Sequence, residues 1–348
     1  MRFGLFGSAA ARRGSGEFDS AEGFRDFIDY NVEAEALGFH GTFVVEHHFT
    51  GFGQVSATLN LLTWLGARTR TLRLGTAVIV LPWHNPVLLA EQAATLDLLS
   101  GGRLDFGIGT GYRYNEFVGF DVGMAEAREK FEEAIDVILK SWTSEERFSH
   151  RGKYWTFNDI IVEPPPARKP HPVVWMGAGS DRSIREVARR GFNLLLGQYA
   201  SPDEVGHNIA VFREAVEGVG QVWDPMRVGV TRAFFVAESE QEREEALERR
   251  LANRVRQLKL ATTPDGTVLG GPDRASGDPN EINLKSAIYG TPDQIGRRLQ
   301  DLQKAGAGYV LLNGGGSGGG ERGRRSLRRF AREVMPAFTQ GDQAEATE

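Results

Sequence analysis

Arg2-Phe3-Gly4-Leu5-Phe6 followed by Gly7-Ser8-Ala9-Ala10 is a short apolar strand running into a turn of small residues, and that turn decides between two closures of an α/β chain. A doubly wound dinucleotide-binding sheet needs Gly-x-Gly-x-x-Gly after its first strand and an acidic residue about 20 positions later. The turn here lacks that spacing. Outward from it, apolar runs alternate with amphipathic segments along most of the chain. Strands are predicted over Arg2–Phe6, Gly41–Val45, Leu72–Val80, Arg103–Gly109, Val173–Met176, Asn193–Leu196, Arg227–Val236 and Tyr309–Leu312. Helices are predicted over Glu22–Leu37, Ser56–Ala67, Pro86–Leu99, Glu126–Trp142, Asp181–Arg190, Asp203–Glu217, Glu240–Leu260 with Pro292–Ala305, and Gly323–Pro336. Eight strand–helix units close into a (β/α)8 TIM barrel.

Two insertions interrupt the alternation. After strand four, Tyr154, Trp155 and Phe157 around Gly152 predict a β-hairpin between Phe148 and Val162, with the extended run Pro164-Pro165-Pro166 behind it. The second insertion, around residues 262–283, is rich in Gly, Pro and Asp and reads as a loop, either a lid or disordered. Neither reads as a domain boundary. Residues 1–340 are expected to form one barrel domain, with 341–348 as a disordered tail.

Composition narrows the function classes. A chain of 348 residues with 41% apolar and 25% charged residues can bury a large core. Its net charge of -5 argues against nucleic acid, which requires a basic face. The Arg-rich tract Arg322–Arg332 reads as the solvated face of a helix whose Leu327, Phe330 and Val334 point inward. The absence of cysteine excludes disulfides, thiolate metal sites and a cysteine nucleophile, and fits a reducing cytoplasm. No apolar stretch approaches the roughly 20 residues of a membrane span. A soluble cytoplasmic protein acting on a small molecule is expected.

In a barrel, chemistry collects at the carboxyl ends of the strands. Strand two runs out into Glu46-His47-His48-Phe49, two of only seven histidines in the chain. An imidazole titrates near neutrality and handles protons where it stands. A metal is not expected: neighbours on an extended segment point to opposite faces, and there is no His-Glu-x-x-His spacing. No lysine falls at a strand end, which argues against Schiff-base chemistry. Glu46 is the sole strand-end carboxylate, which argues against glycoside hydrolysis. Three glycine-rich turns compete to hold a phosphate: Gly107–Tyr112, Gly177–Ser183 and Asn313–Gly320. The second is the best candidate, with two hydroxyls in a first helical turn and Arg182 and Arg185 nearby. Ordinary N-capping by Ser180 is the simpler use of the same residues.

The series Glu46–Phe49, Leu74–Pro82, Asn85-Pro86-Val87, Ala90–Arg103 and Gly107–Tyr112, followed by the Gly179–Ser183 turn, resembles the bacterial luciferase-like flavin-dependent monooxygenases. The resemblance runs from about Arg2 to Phe338 and is most specific over Leu74–Gly111. It implies an enzyme that takes reduced FMN (FMNH2) from a separate flavin reductase, lets it react with O2, and oxygenates a small organic substrate through a C4a-(hydro)peroxyflavin. It further implies that His47 lies near the flavin as base or hydrogen-bond partner. Gly179, Ser180 and Ser183 would hold the FMN phosphate, and Ala77-Val78 would form a non-prolyl cis peptide against the ring. Gly109, Thr110 and Tyr112 are assigned to cofactor binding on the same ground, while Phe6, Trp83, Trp175 and Tyr112 are candidates for pocket walls. Light-emitting members carry Cys-Arg where this chain has Gly109-Thr110, so the phosphate countercharge passes to Arg113, Arg182 or Arg185, and light emission is not expected. Relatives that use deazaflavin F420 for hydride transfer, and flavin-binding barrels without turnover, are the alternatives. Pro86–Leu99, broken only by Glu91, Gln92, Thr95 and Asp97, is apolar around most of its circumference and predicts a homodimer.

Overall fold

The computed structural model describes residues 1–11, 20–267, 278–314 and 320–339. The expected tail 341–348, the centre of the Asn313–Gly320 turn and residues 268–277 of the second insertion lie outside the described residues.

The barrel strands are β1 (Arg2–Gly7), β2 (Gly41–Val44), β3 (Arg73–Thr76, resuming at Ile79–Val80), β4 (Leu104–Gly109), β5 (Val173–Gly177), β6 (Asn193–Leu196), β7 (Val228–Val236) and β8 (Tyr309–Asn313). Each pairs in parallel with its neighbour in chain order, and β8 returns to β1 through the register Arg2↔Tyr309 to Leu5↔Leu312. The (β/α)8 closure expected from the strand–helix alternation is the one observed. The hairpin after β4 is also present, Phe148–Arg151 against Thr156–Ile160. No helix among the described residues is long and apolar enough to cross a membrane.

Three details depart from expectation. Strand three, expected unbroken over Leu72–Val80, is not continuous: at the Ala77–Val78 peptide, cis as the resemblance implied, the ladder to β4 stops at Gly75↔Asp105 and resumes at Ile79↔Ile108. In the gap, the Thr76 hydroxyl donates to Gly107 O at 2.7 Å and accepts from Gly107 N at 2.8 Å, so both polar groups of that buried β4 residue stay satisfied. A short helix, Tyr114–Gly119, follows β4 where a loop was expected. The second insertion, read as a loop to residue 283, contains the helix Pro279–Ser286, which leads into a strand, Ile288–Gly290, paired on β7. That helix starts at Asp278, whose side chain accepts from Asn280 N, with Pro279 behind it, an ordinary start signal overlooked in a Gly/Pro-rich stretch.

The barrel interior is filled by Phe43, Trp175, Leu195, Tyr309 and Leu311. A larger apolar layer lies between strands and helices and includes Leu327, Phe330 and Val334, as the inward face of the last long helix requires. Its arginines pair outward: Arg324 with Asp26, Arg325 with Glu242, and Arg328 with Glu321. The helix Pro86–Ser100 is capped by Asn85 and ends at Gly101 in the left-handed region (φ 70°). Beyond it the Arg103 guanidinium donates to the carbonyls of Gly66, Thr69, Leu72 and Ser100, tying two helix ends to the start of β3.

A Cβ on Gly75 would fall inside the Phe43 ring, so β3 passes through the filled interior with no side chain at that point. Gly75→Ala is expected to destabilise the fold by about 1–3 kcal/mol through overpacking, read from urea unfolding midpoints.

Candidate active site

At the carboxyl ends of the strands lies a cavity of about 820 Å³, within the usual range for small-molecule sites. Its floor is built where β2 gives way to Val45-Glu46-His47. Glu46 is buried, and its carboxylate accepts from His48 Nε2 at 2.8 Å, His84 Nε2 at 2.7 Å and the Val80 backbone N–H at 2.8 Å. Burial opposes ionisation, but hydrogen bonds from His48, His84 and Val80 outweigh it and hold the Glu46 carboxyl at about 2. His48 is thereby structural, and Glu46 anchors the segment that follows the cis peptide.

His47 has a different partner. Its Nδ1 lies 3.0 Å from Glu116 Oε1, which also accepts from His48 N at 2.9 Å. A carboxylate at Nδ1 selects the tautomer with its proton there and leaves Nε2 as the accepting nitrogen. Burial pushes the His47 pKa down, against the pull of Glu116, so the ring is held neutral at the edge of the cavity.

Ala77, Val78, Gly109, Thr110 and Tyr112 line the cavity with His47, as does Phe6. A Cβ on Gly109 would lie 2.6 Å from Val78 Cγ2, and one on Gly111 (φ 76°) 2.6 Å from Val80 Cγ1, so glycine lets the β4 end pack against the interrupted β3. Two expected wall residues are elsewhere. Trp175, in the middle of β5, points into the barrel core against Phe43, and Trp83, in the helical turn after β3, stacks on Phe120.

Gly179, Ser180 and Ser183 do not border the cavity, although Gly177 at the end of β5 does. They form the start of the helix Asp181–Arg189, where Ser180 and Ser183 make a reciprocal capping box and their hydroxyls lie 2.8 Å apart. Of the three proposed countercharges, Arg185 is paired with Glu214 at 3.0 Å and Arg182 is exposed beside the turn. Arg113 is buried at the cavity, its Nη2 donating to Gln257 Oε1 at 2.7 Å.

Sequence reading missed Glu116, His84 and the helix Glu240–Leu260, which lines the cavity through Arg250, Asn253, Arg254 and Gln257. Glu116 sits on a helix of one and a half turns, too short to show periodicity. The helix read as an amphipathic barrel helix, and nothing local announces that one face of it covers a mouth.

A parallel barrel with a cavity at its mouth and a histidine oriented there by a carboxylate defines a (β/α)8 enzyme. Residues 1–308 match the luciferase-like monooxygenase family, and the chain belongs to that family of oxidoreductases. It is 26% identical to the oxygenase component of flavin-dependent trigonelline monooxygenase from Acinetobacter baylyi, over 98% of this chain and 96% of that one. The crystal structure of monooxygenase RslO1 from Streptomyces bottropensis superposes with a TM-score of 0.82 at 26% identity, covering 97% of this chain and all of the other. An F420-dependent glucose-6-phosphate dehydrogenase from Intrasporangium calvum is 34% identical over 49% of this chain and 54% of its own length. The chain also spans about half the length (55%) of an uncharacterized Sinorhizobium fredii protein to which it is 33% identical.

Glu46 and His47 both make the stability fall in acid. Glu46 has a folded value far below its ordinary 4.5, so its contribution is complete above that pH and is lost as pH falls toward 2; two and a half units amount to about 3 kcal/mol. His47, also lowered from 6.5, is protonated more readily in the unfolded chain, so stability drops as pH falls below 6.5. Glu46→Gln is expected to cost about 2–4 kcal/mol at pH 7 and to flatten the decline below pH 4.5, measured as urea unfolding free energy against pH.

Proposed function

We propose that this chain is the oxygenase component of a two-component flavin monooxygenase, receiving FMNH2 from a separate reductase and using O2 to oxygenate a small organic substrate. The observation that carries the reading is the carboxylate-oriented His47 at the wall of the cavity, which the Ala77–Val78 cis peptide also lines. The flavin-dependent oxygenase component with which the chain aligns nearly end to end supports it.

The residues fit a flavin. A Cβ on Gly177 would meet only Val78 Cγ1 at 3.9 Å and one on Gly179 nothing within 4 Å, so the backbone leading to Ser180 borders open space that a ligand can approach closely. Ala77, Val78, Gly109, Thr110 and Tyr112 would flank the ring system. Gly179, Ser180 and Ser183 would hold the phosphate at the helix start, with Arg182 as countercharge. Bound reduced flavin supplies the electrons that activate O2. The protein's own part is to exclude water with Phe6, Val45, Val80 and Tyr112, and to take or return a proton at His47 Nε2 while Glu116 stabilises the charged ring.

F420-dependent hydride transfer is the competing reading, supported by the 34% identical dehydrogenase. Two measurements separate them. Calorimetry is expected to give tight FMN or FMNH2 binding and weak F420 binding. Turnover under 18O2 with a flavin reductase is expected to place one labelled oxygen in an organic product. Tight F420 binding without FMN binding, and no label, would transfer the chain to the hydride-transfer branch. His47→Ala is expected to keep FMN affinity within about twofold and to lower the fraction of flavin oxidation coupled to labelled product by about 10²-fold, the usual scale for a lost acid–base group.

We also propose a homodimer through the helices Thr58–Arg68 and Pro86–Ser100, on which Trp64, Leu88, Leu98 and Leu99 are exposed. Leu88→Glu with Leu99→Glu is expected to yield folded monomers by light scattering; a wild-type monomer would refute the interface.

A further inference from the structure

The roof of the cavity carries charge that the proton-handling site does not use. Arg254, on the helix Glu240–Leu260, is 4% exposed and lines the cavity, yet its Nε and Nη1 have no hydrogen-bond partner among the described residues. Its guanidinium carbon lies 3.7 Å from the ring centre of Tyr199, which leaves the edge of the fork to find a partner. Arg113 reaches the same region from the end of β4. It is 5% exposed, its Nη2 donates to Gln257, one helical turn beyond Arg254, and its Nη1 has no hydrogen-bond partner. The nearest carboxylate, Glu116, is 4.0 Å from that Nη1 and already accepts from His47 and His48. Glu46, the other acid bordering the cavity, is committed to His48, His84 and Val80. Two buried guanidinium groups with donors to spare, and no uncommitted acid among the described residues that line the cavity, cost stability unless an anion enters between them.

We propose that Arg113 and Arg254 form an anion subsite that selects an organic acid, a carboxylate or sulfonate, as the substrate of the reaction at His47. The inference deepens the oxygenase reading and rests on it for the reaction, while the anion site itself stands on geometry. A guanidinium fork recognises a planar carboxylate through paired charge-assisted hydrogen bonds. The apolar body of such a substrate then reaches toward His47 past the Val45 and Val80 walls. The flavin phosphate has the same chemistry but is assigned to Gly179, Ser180 and Ser183 on the turn after β5, which do not border the cavity, whereas Arg113 and Arg254 both line it.

The test uses the full chain loaded with FMN, titrated calorimetrically with octanoate and with 1-octanol as its uncharged counterpart. Octanoate is expected to bind about tenfold or more tightly than octanol. Arg254→Met is expected to bring octanoate to the level of octanol, Arg254→Lys to restore part of the difference, and neither to change FMN affinity. Equal affinity for the two probes, or binding of neither, in the unmodified protein overturns the proposal without relying on any variant. If Arg254→Met instead weakens FMN about tenfold and leaves octanoate unchanged, the anion is the flavin's phosphate, and the substrate inference falls while the flavin reading stands. If FMN fails to bind but octanoate behaves as expected, the flavin reading falls and the anion site stands.

Discussion

The Glu46 carboxylate, buried and held by His48, His84 and the Val80 N–H, ties together three pieces of backbone at the mouth of the barrel. It fixes the exit of β2, the restart of β3 after the cis peptide, and the turn that leads to the helix Pro86–Ser100. An ionised carboxylate in an apolar surround is tolerated only when hydrogen-bond donors compensate its lost hydration. Three donors meet that requirement here, and together they settle where the cavity floor lies and which way His47 faces.

From that floor a second chain of contacts runs outward: His47 to Glu116, Arg113 close to Glu116 and bonded to Gln257, and Gln257 on the same helix as Arg254. It couples the proton-handling ring at the end of β2 to the cationic roof after β7. Glu116 plays two parts, orienting the His47 ring and holding the His48 backbone. A change there would disturb floor and chemistry together, whereas a change at Arg254 touches only the roof. The cavity can therefore vary its ligand preference at the roof while keeping the geometry below.

Much of the architecture was legible because it rests on local periodicity. Eight apolar strands and the amphipathic helices between them were found within a few residues, as was the hairpin after β4. The misses have physical causes. A helix of six residues such as Tyr114–Gly119 has no period to detect, and the start of Pro279–Ser286 was hidden in a run of turn-forming residues. Leu72–Val80 read as one strand because the side-chain pattern continues through Ala77-Val78; the break is in the backbone, where Thr76 takes over the pairing. The segment Ser100-Gly101-Gly102-Arg103, prominent in the family resemblance, closes helix ends at the opposite end of the barrel and does not touch the cavity.

The sequence by itself determined the (β/α)8 class, the strand end that carries the histidines and the glycine turns that border the mouth, because strand, helix and turn preferences are set by neighbours along the chain. Tertiary structure alone decided that Glu46 is an anchor, that Glu116 orients His47, that Trp175 belongs to the core, and that Arg254 and Arg113 line one cavity. Arg113 and Gln257, which bond to each other, are 144 positions apart, and only closure of the barrel brings their elements to one rim. The glutamate–histidine stretch at the end of β2 shows the division most directly. Its place in the chain announced a site, and the donors and acceptors gathered around it by folding assigned each residue its part.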